Sequence, residues 1–215
     1  MQFSRSLASL AVALVVVLAG CTGTLAEFGA EPAVVPEPVL TGGWVHGNTT
    51  DVTVPVGVGL GPVSRDVRLT GWVSGYSKTT ADDDIALLAV VSTPDAEFEG
   101  QSLSPVVYLS DPELVSWTLD RLADASVQGG VDAEVTGLRA VDRETRIVLG
   151  RSTEVVTYAG TAEVEGESVA VLLHLAVVAH EGDVIVALGA HDPDLDEREA
   201  VLALMERIEH AGRAS

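Results

Sequence analysis

Three histidines with carboxylates beside them are the first residues whose types point to chemistry. They are His174, His180 and His191, and Asp192 and Asp194 follow the last of them. Imidazole and carboxylate groups bind zinc, and a zinc-bound water can hydrolyse a substrate. However, residues 174 and 180 would lie about 20 Å apart along an extended strand, too far for one set of ligands. We therefore predict ordinary strand and turn histidines with no bound metal. A metal-dependent hydrolase built from these three histidines stays open as an alternative.

The sequence contains no complete motif for nucleotide binding or nucleophilic catalysis. Residues 57–61 are rich in Gly, but Pro62 and Ser64 occupy the places where G-x-G-x-x-G needs its last Gly. Lys78 lacks the Gly that must precede the lysine of a P-loop. A G-x-S-x-G motif does not occur in the sequence either. We therefore predict a non-enzymatic protein with no catalytic residues and no cofactor.

Two aromatic side chains are candidates for contact with a ligand. Trp72 and Tyr76 have the same parity on one predicted strand, so they face the same side of its sheet. Aromatic rings offer a large contact area at a low cost in conformational entropy. We predict a ligand groove at these two residues, and the alternative is that they fill space between a helix and the sheet.

The only cysteine follows an apolar N-terminal segment. Residues 7–20 are apolar or small except for Ser9, and this run is too short for a spanning helix of about 20 residues. It ends in Leu-Ala-Gly20-Cys21, which has the form of a lipobox. We predict a signal peptide over residues 1–20, cleavage between Gly20 and Cys21, and a lipid on Cys21. The lipid would hold the protein at the extracellular face of the cell membrane.

The residues after Cys21 divide into a predicted tether and a predicted domain. Residues 21–40 are rich in Pro and Glu and have no helical or strand period, so we predict an extended, lipid-anchored tether. Residues 41–211 are predicted to form a single domain. Asn48, the only asparagine, begins an Asn-Thr-Thr sequence and is a candidate site of N-glycosylation.

The charge of the chain excludes one class of partner and indicates an environment. The 215 residues carry 32 Asp and Glu but only 12 Lys and Arg, for a net charge of −20. Such a chain should not bind nucleic acid, because binding to phosphates needs a basic surface. Concentrated salt screens repulsion among carboxylates, and a carboxylate-rich surface then keeps a protein soluble. We interpret this acidic composition as that of a haloarchaeal protein.

The fold class follows from the order of the predicted elements. Strand patterns predominate from about residue 44, and residues 168–178 and 183–190 form a predicted hairpin. A capping box predicts a helix over about 111–124, and an apolar stripe predicts a C-terminal helix over about 193–210. Grouped strands with two helices indicate an α+β fold with a mainly antiparallel sheet.

Four short segments resemble an uncharacterised haloarchaeal lipoprotein family that is defined by a domain of unknown function. They are the lipobox at 18–21, Val-Ser-Thr-Pro at 91–94, Leu-Ser-Asp-Pro-Glu-Leu at 109–114 and Leu-Asp-Glu-Arg-Glu-Ala at 195–200. The resemblance implies a small, acidic, lipid-anchored protein, and it implies no catalytic residues. The pattern of elements is also similar to that of PsbP-like proteins. Many members of the lipoprotein family have a twin-Arg export signal, which this sequence lacks.

Besides the hydrolase, these patterns lead to two other hypotheses for the function. The first is a non-enzymatic module that binds a small apolar ligand or an envelope protein. The second is a structural or assembly factor without a ligand pocket, which would dock partners through an exposed sheet edge such as residues 52–58. An enclosed apolar pocket would favour the first of the two.

Overall fold

The computed structural model of the chain describes residues 25–60, 63–80, 85–98, 100–124, 134–164 and 166–212. Its strands are β1 (Ala26–Gly29), β2 (Ala33–Val34), β3 (Val45–Leu60), β4 (Val63–Thr79), β5 (Ile85–Pro94), β6 (Glu97–Phe98), β7 (Gln101–Ser102), β8 (Glu134–Val148), β9 (Arg151–Val164), β10 (Glu167–His180), β11 (Asp183–His191) and β12 (Glu209–His210). Its helices are α1 (Asp111–Asp124) and α2 (Arg198–Glu206), and short 3₁₀ turns lie at Glu37–Val39 and Pro105–Tyr108.

The described residues divide into two compact units. One contains residues 25–27, 55–60 and 63–68, and within it Leu25 N donates to Asp66 O at 2.8 Å. The other contains residues 28–54 and the residues from 69 onward. Every side chain considered below as part of a site belongs to the second unit.

An eight-stranded sheet is the main element of the fold. Its strands lie in the order β1-β4-β5-β11-β10-β9-β8, and β3 pairs with β4 off this path. The hairpin turn between β8 and β9 has Leu149 and Gly150 at positive φ, and the turn between β10 and β11 has Glu181 and Gly182 there. Two successive residues at positive φ are the requirement of a type I′ turn, whose twist matches that of the flanking strands. These turns bring consecutive strands side by side in antiparallel register.

The predicted α+β class is wrong. The structure is mostly β-sheet, with 61% of it in strands and 18% in helices, and its large sheet is mixed. Strand β8 begins at Glu134, and its first half shows no strand pattern in the sequence. All five side chains from Arg139 to Arg143 are exposed, so this half of the strand has no alternation of apolar and polar residues to signal it.

The C-terminal helix is shorter at both ends than the predicted 193–210. The Asp192 carboxylate accepts a hydrogen bond from Asp194 N at 2.7 Å, and the Asp192 carbonyl accepts one from Leu195 N at 3.1 Å. These two bonds form a turn. The helix then begins at Arg198, and after Glu206 the chain reaches the short strand β12. Asp194 and Asp196, which the predicted helix would include, therefore lie before the helix.

The mid-chain helix lies at Asp111–Asp124, where the capping box predicted a helix. The Glu113 carboxylate accepts hydrogen bonds from Ser110 N at 2.8 Å and from Ser110 Oγ at 2.7 Å. These bonds lower the pKa of Glu113, and they satisfy a backbone N–H that precedes the first turn.

Each face of the sheet packs against one helix. The α2 face buries Leu88, Val90, Ile185 and Ala187 of the sheet against one apolar stripe of the helix, which includes Val201, Leu202 and Met205. The α1 face buries Ala89, Val91, Val186 and Leu188 against Leu114, Val115 and Leu122. Adjacent strand residues thus serve opposite faces, as the two-residue period of a strand requires.

Residues 25–40, which were assigned to a tether, pack onto this sheet from residue 28 onward. Ala33 and Val35 are buried, and Val35 N donates to the Tyr76 hydroxyl at 2.7 Å. Strand β2 pairs with β12, so this segment also holds the C-terminal strand. The extended tether therefore does not include these residues, because isolated Ala and Val residues among Pro and Glu still bury apolar surface.

Candidate functional site

An apolar cavity lies between α1 and the neighbouring face of the sheet. Its volume is about 270 Å³. Leu119 and Leu122 of α1 face the cavity from the helix. The sheet side is formed by residues from five strands: Ile85, Leu87, Val135, Ala162, Val164, Val169, Ala170, Val171, Leu173 and Ala190. The cavity therefore lies where the helix and the sheet leave space between their apolar surfaces.

Among the residues that the structure describes, two polar ones line this cavity, and they follow one another at the end of β11. They are His191, which is buried, and Asp192, which is partly exposed. The ring nitrogen Nδ1 of His191 lies 2.7 Å from the carbonyl oxygen of Asp192. Since a carbonyl only accepts, Nδ1 must carry the proton and donate it.

A buried hydrogen-bonded chain continues from His191 into the sheet. Its Nε2 lies 3.0 Å from Nε2 of His174, and Nδ1 of His174 lies 3.0 Å from the hydroxyl of Thr157. With the His191 proton on Nδ1, His174 must donate from Nε2 and Thr157 must donate to Nδ1. Every nitrogen of the two rings is then satisfied with both rings neutral.

Burial explains why His174 is neutral. The pKa of His174 is lowered to about 4, chiefly because burial removes water from the charged form. His191 and Arg198 lower it further by repulsion, while Glu144 and Asp142 act in the opposite direction. Arg198 itself contacts both carboxylates at 2.5 Å, so its charge near the pair is largely compensated.

The third predicted histidine belongs to a different cluster. His180 Nδ1 lies 3.1 Å from Nδ1 of His210, and Nε2 of His210 lies 3.0 Å from the carboxylate of Asp183. The side chains of His210 and Asp183 are fully buried, and the same carboxylate oxygen accepts from Glu31 N at 2.9 Å. The structure therefore brings His174 and His191 together but not His180, and the proposed grouping of three histidines is wrong.

His210 was missed at the sequence level because nothing near it in the sequence indicates a partner. It joins Asp183 only because β12 pairs with β2 beside the β10–β11 turn. In the part of the chain that the structure describes, no group of three or more His, Cys, Asp or Glu residues is arranged to hold a metal ion.

The two predicted aromatic contacts do not line the cavity. Tyr76 is buried in the core on the α2 face, where its ring stacks on His46 with centroids 5.0 Å apart. Trp72 is partly buried, and its Nε1 donates to the carbonyl of Ala30 at 2.9 Å. Both side chains hydrogen-bond to the backbone of the segment before β3, Trp72 at Ala30 and Tyr76 at Val35, and so hold this segment against the sheet.

A second cavity, of about 410 Å³, lies beside the start of α1. Its lining is mixed, and it includes Asp111, Arg151, Glu154 and Val177. The hydroxyl of Tyr158 donates to the Asp111 carboxylate, and burial together with this carboxylate raises the pKa of Tyr158 to about 12. The charged lining makes this cavity a less suitable place for an apolar ligand.

The remaining predicted sites are only partly visible. Gly20 and Cys21 lie outside the described residues. Asn48 is exposed on β3, so a glycan would meet no packed surface there. No helix among the residues with described structure is both long and apolar enough to cross a bilayer.

The fold and the cavity define a sheet-rich domain with one helix on each face and an apolar space beneath α1. The model of a family described as a domain of unknown function (DUF6517) matches residues 32–209, so the chain belongs to this family. This match confirms the predicted membership of a domain family without an assigned function. It also starts within the segment that was predicted to be a tether.

Comparison with individual proteins adds little to this assignment. No curated protein matches the chain. A crystal structure of a protein of unknown function from Pseudomonas aeruginosa, PA94, is similar at 12% identity and a TM-score of 0.36, over 75% of this chain and 99% of that one. Such a TM-score is too low to transfer any property of that protein.

Proposed function

We propose that this protein is a non-enzymatic module that binds a small apolar ligand in the cavity beneath α1. The observation that supports the proposal is the cavity itself, whose described lining residues are apolar except for His191 and Asp192. Ligand sites are typically concave and mostly apolar, with a few polar groups that orient the ligand. A structural or assembly factor would have no need for such a space.

The size of the cavity limits the ligand. A volume of about 270 Å³ holds about nine groups of the size of a water molecule, at about 30 Å³ each. An eight-carbon chain with a small head group meets this limit. Each buried CH₂ contributes about 0.8 kcal/mol, which makes measurable binding of such a chain feasible.

We further propose that the module is lipid-anchored at Cys21 on the extracellular face of the membrane of a halophilic archaeon. The lipobox and the apolar run before it support the anchor, and the net charge of −20 supports the saline environment. The likeness of its pattern of elements to PsbP-like proteins stays a prediction.

The anchor predicts that the wild-type protein is recovered in membranes and that Cys21→Ser is recovered in the medium. Equal distribution of the two would contradict it.

Binding is tested with the full chain carrying Cys21→Ser and with octanol as the ligand, followed by saturation-transfer NMR. Val169 lines the cavity and Val177 does not, yet both lie on β10 and both are 40% exposed. Val169→Trp should fill the cavity and reduce octanol binding at least tenfold, whereas Val177→Trp should leave it within twofold. Equal effects of the two substitutions, or no octanol binding to the unsubstituted cavity, would overturn the proposal.

A further inference from the structure

The hydrogen-bonding groups of the cavity restrict the head group of its ligand. Resting on the proposed function, we propose that the ligand is an amphiphile whose head donates hydrogen bonds, a protonated amine above all and a hydroxyl after it. A carboxylate or phosphate head is disfavoured. The proposal rests on which atoms of the two polar lining residues are available and on the charge around them.

His191 has no hydrogen to offer a ligand. Its Nδ1 donates to the carbonyl of Asp192, and its Nε2 accepts from His174. The Asp192 carbonyl fixes the direction of these bonds, because it can only accept, and the Thr157 hydroxyl, which can donate or accept, then donates to the remaining nitrogen of His174. A ligand that needed a donor from His191 would have to break this buried chain.

Asp192 offers only acceptors. Its Oδ1 accepts from Asp194 N at 2.7 Å, which fixes the orientation of the carboxylate at the end of β11. An ionised carboxylate has lone pairs for further donors but no hydrogen to donate. An ammonium head beside it would gain a charge-assisted hydrogen bond, a hydroxyl would gain a neutral one, and a carboxylate would meet a like charge.

Among the described residues that line the cavity, none is Lys or Arg. An anionic head would therefore find no counter-charge, and the charge of −20 for the whole chain opposes it further. The burial of an anion without a partner costs far more than an eight-carbon chain contributes. Charge and hydrogen bonding therefore select the same class of head group.

Three ligands with the same chain and different heads test this inference: octylamine, octanol and octanoate, each titrated at neutral pH into the full chain carrying Cys21→Ser. Octylamine is expected to bind about tenfold more tightly than octanol, and octanoate at least tenfold more weakly than octanol. Octanoate binding as tightly as octylamine would overturn the inference while leaving the proposed function intact. If none of the three binds, the proposed function fails as well.

A matched pair of variants separates the cavity from the general attraction of an acidic protein for amines. Asp192→Asn keeps an oxygen that can accept from Asp194 N but removes the charge, and it should reduce the octylamine-to-octanol affinity ratio about tenfold. Asp196→Asn removes the same charge from an exposed residue that does not line the cavity, and it should leave the ratio within twofold. Equal effects of both variants would show surface attraction only and overturn the inference.

Discussion

Two pairs of histidines are joined nitrogen to nitrogen in this protein, and they differ in what holds their outer ends. In the pair His174–His191, the outer partners are the Thr157 hydroxyl and the Asp192 carbonyl. In the pair His180–His210, the outer partner of His210 is the buried carboxylate of Asp183. The distances between the paired nitrogens are almost the same, at 3.0 Å and 3.1 Å.

The outer partners decide how many proton arrangements each pair allows. In the first pair the carbonyl can only accept, so it fixes every proton in one neutral arrangement, and the hydroxyl donates at the other end. The carboxylate fixes only the proton on Nε2 of His210. The bond between the two Nδ1 atoms can then be donated by a neutral His180 or by a charged His210, which would form an ion pair with Asp183. The same ring-to-ring contact therefore allows one neutral arrangement in the first pair and two arrangements in the second, because the outer partners differ.

The largest expected effect comes from removing the two outer partners. Asp183→Ala should lower the free energy of unfolding by about 3–5 kcal/mol, because it leaves buried donors of His210 and Glu31 facing an empty space. Thr157→Val should cost about 1–3 kcal/mol, because it removes one neutral hydrogen bond and keeps the shape of the side chain. Urea denaturation in concentrated KCl measures both values.

The control for this comparison is Asp196→Ala, since Asp196 is exposed. A change within about 0.5 kcal/mol is expected there. Equal costs for Asp183→Ala and Thr157→Val would show that the carboxylate does not distinguish the two pairs, and the comparison would fail.

The second effect is a dependence on pH that comes from His174. The pKa of His174 is about 4 in the folded protein and 6.5 in the unfolded chain, so between these values the unfolded chain binds more protons. The contribution of His174 to the free energy of unfolding is therefore fully present above pH 6.5. It is lost as the pH falls toward 4, and the total loss is about 3 kcal/mol. His174→Gln should remove this part of the pH dependence.

Wild type and His174→Gln are therefore compared by denaturation at several pH values across this window. Carboxylates titrate in both proteins, so the difference between the two curves isolates the imidazole. His46→Gln, at a partly exposed histidine, provides the control. Parallel curves for wild type and His174→Gln would contradict the assignment of a neutral buried ring.

A smaller effect is expected where α2 lies against the strand beside the neutral pair. Gly189 is the partner of His174 in the β10–β11 register, and a Cβ built on it would lie 2.1 Å from Cγ1 of Val201. Gly189→Ala should cost about 1–3 kcal/mol by pushing the helix away. Val201→Ala in the same chain should recover part of this loss, whereas strictly additive costs would show that the two residues do not touch.

The sequence predicted the parts of the fold that depend on neighbouring residues. The Ser110–Glu113 capping box placed α1, and the turn at residues 180–183 placed the β10–β11 hairpin, because both signals are local. The first half of β8 could not be predicted, because most of its side chains are exposed and the partly buried Val135 and Leu138 do not follow the two-residue period of a strand. The C-terminal helix was predicted too long, because acidic residues such as Asp194 and Asp196 are typical both of a turn and of the first turn of a helix.

The candidate site was harder to predict than the fold. The cavity depends on the space between α1 and the strands, and apolar alternation in a sequence predicts burial without saying where packing is incomplete. The alternation of Val169, Val171 and Leu173 was a visible signal, but it is the same for a filled core. His174 and His191 meet because of the register of a hairpin, while His210 reaches Asp183 through a pairing distant in sequence.

The smallest expected effect concerns which ring nitrogens carry protons, and it involves no change in the free energy of unfolding. Long-range ¹⁵N–¹H NMR near neutral pH should show His174 protonated on Nε2 and His191 on Nδ1, each as a single tautomer, because their partners allow no other arrangement. His210 should be protonated on Nε2, where it donates to Asp183. Protonation of His174 on Nδ1 would reverse the bond between the two rings, so that His191 would donate from Nε2 to His174. That result would contradict the single proton arrangement of this pair and, with it, the comparison of the two pairs.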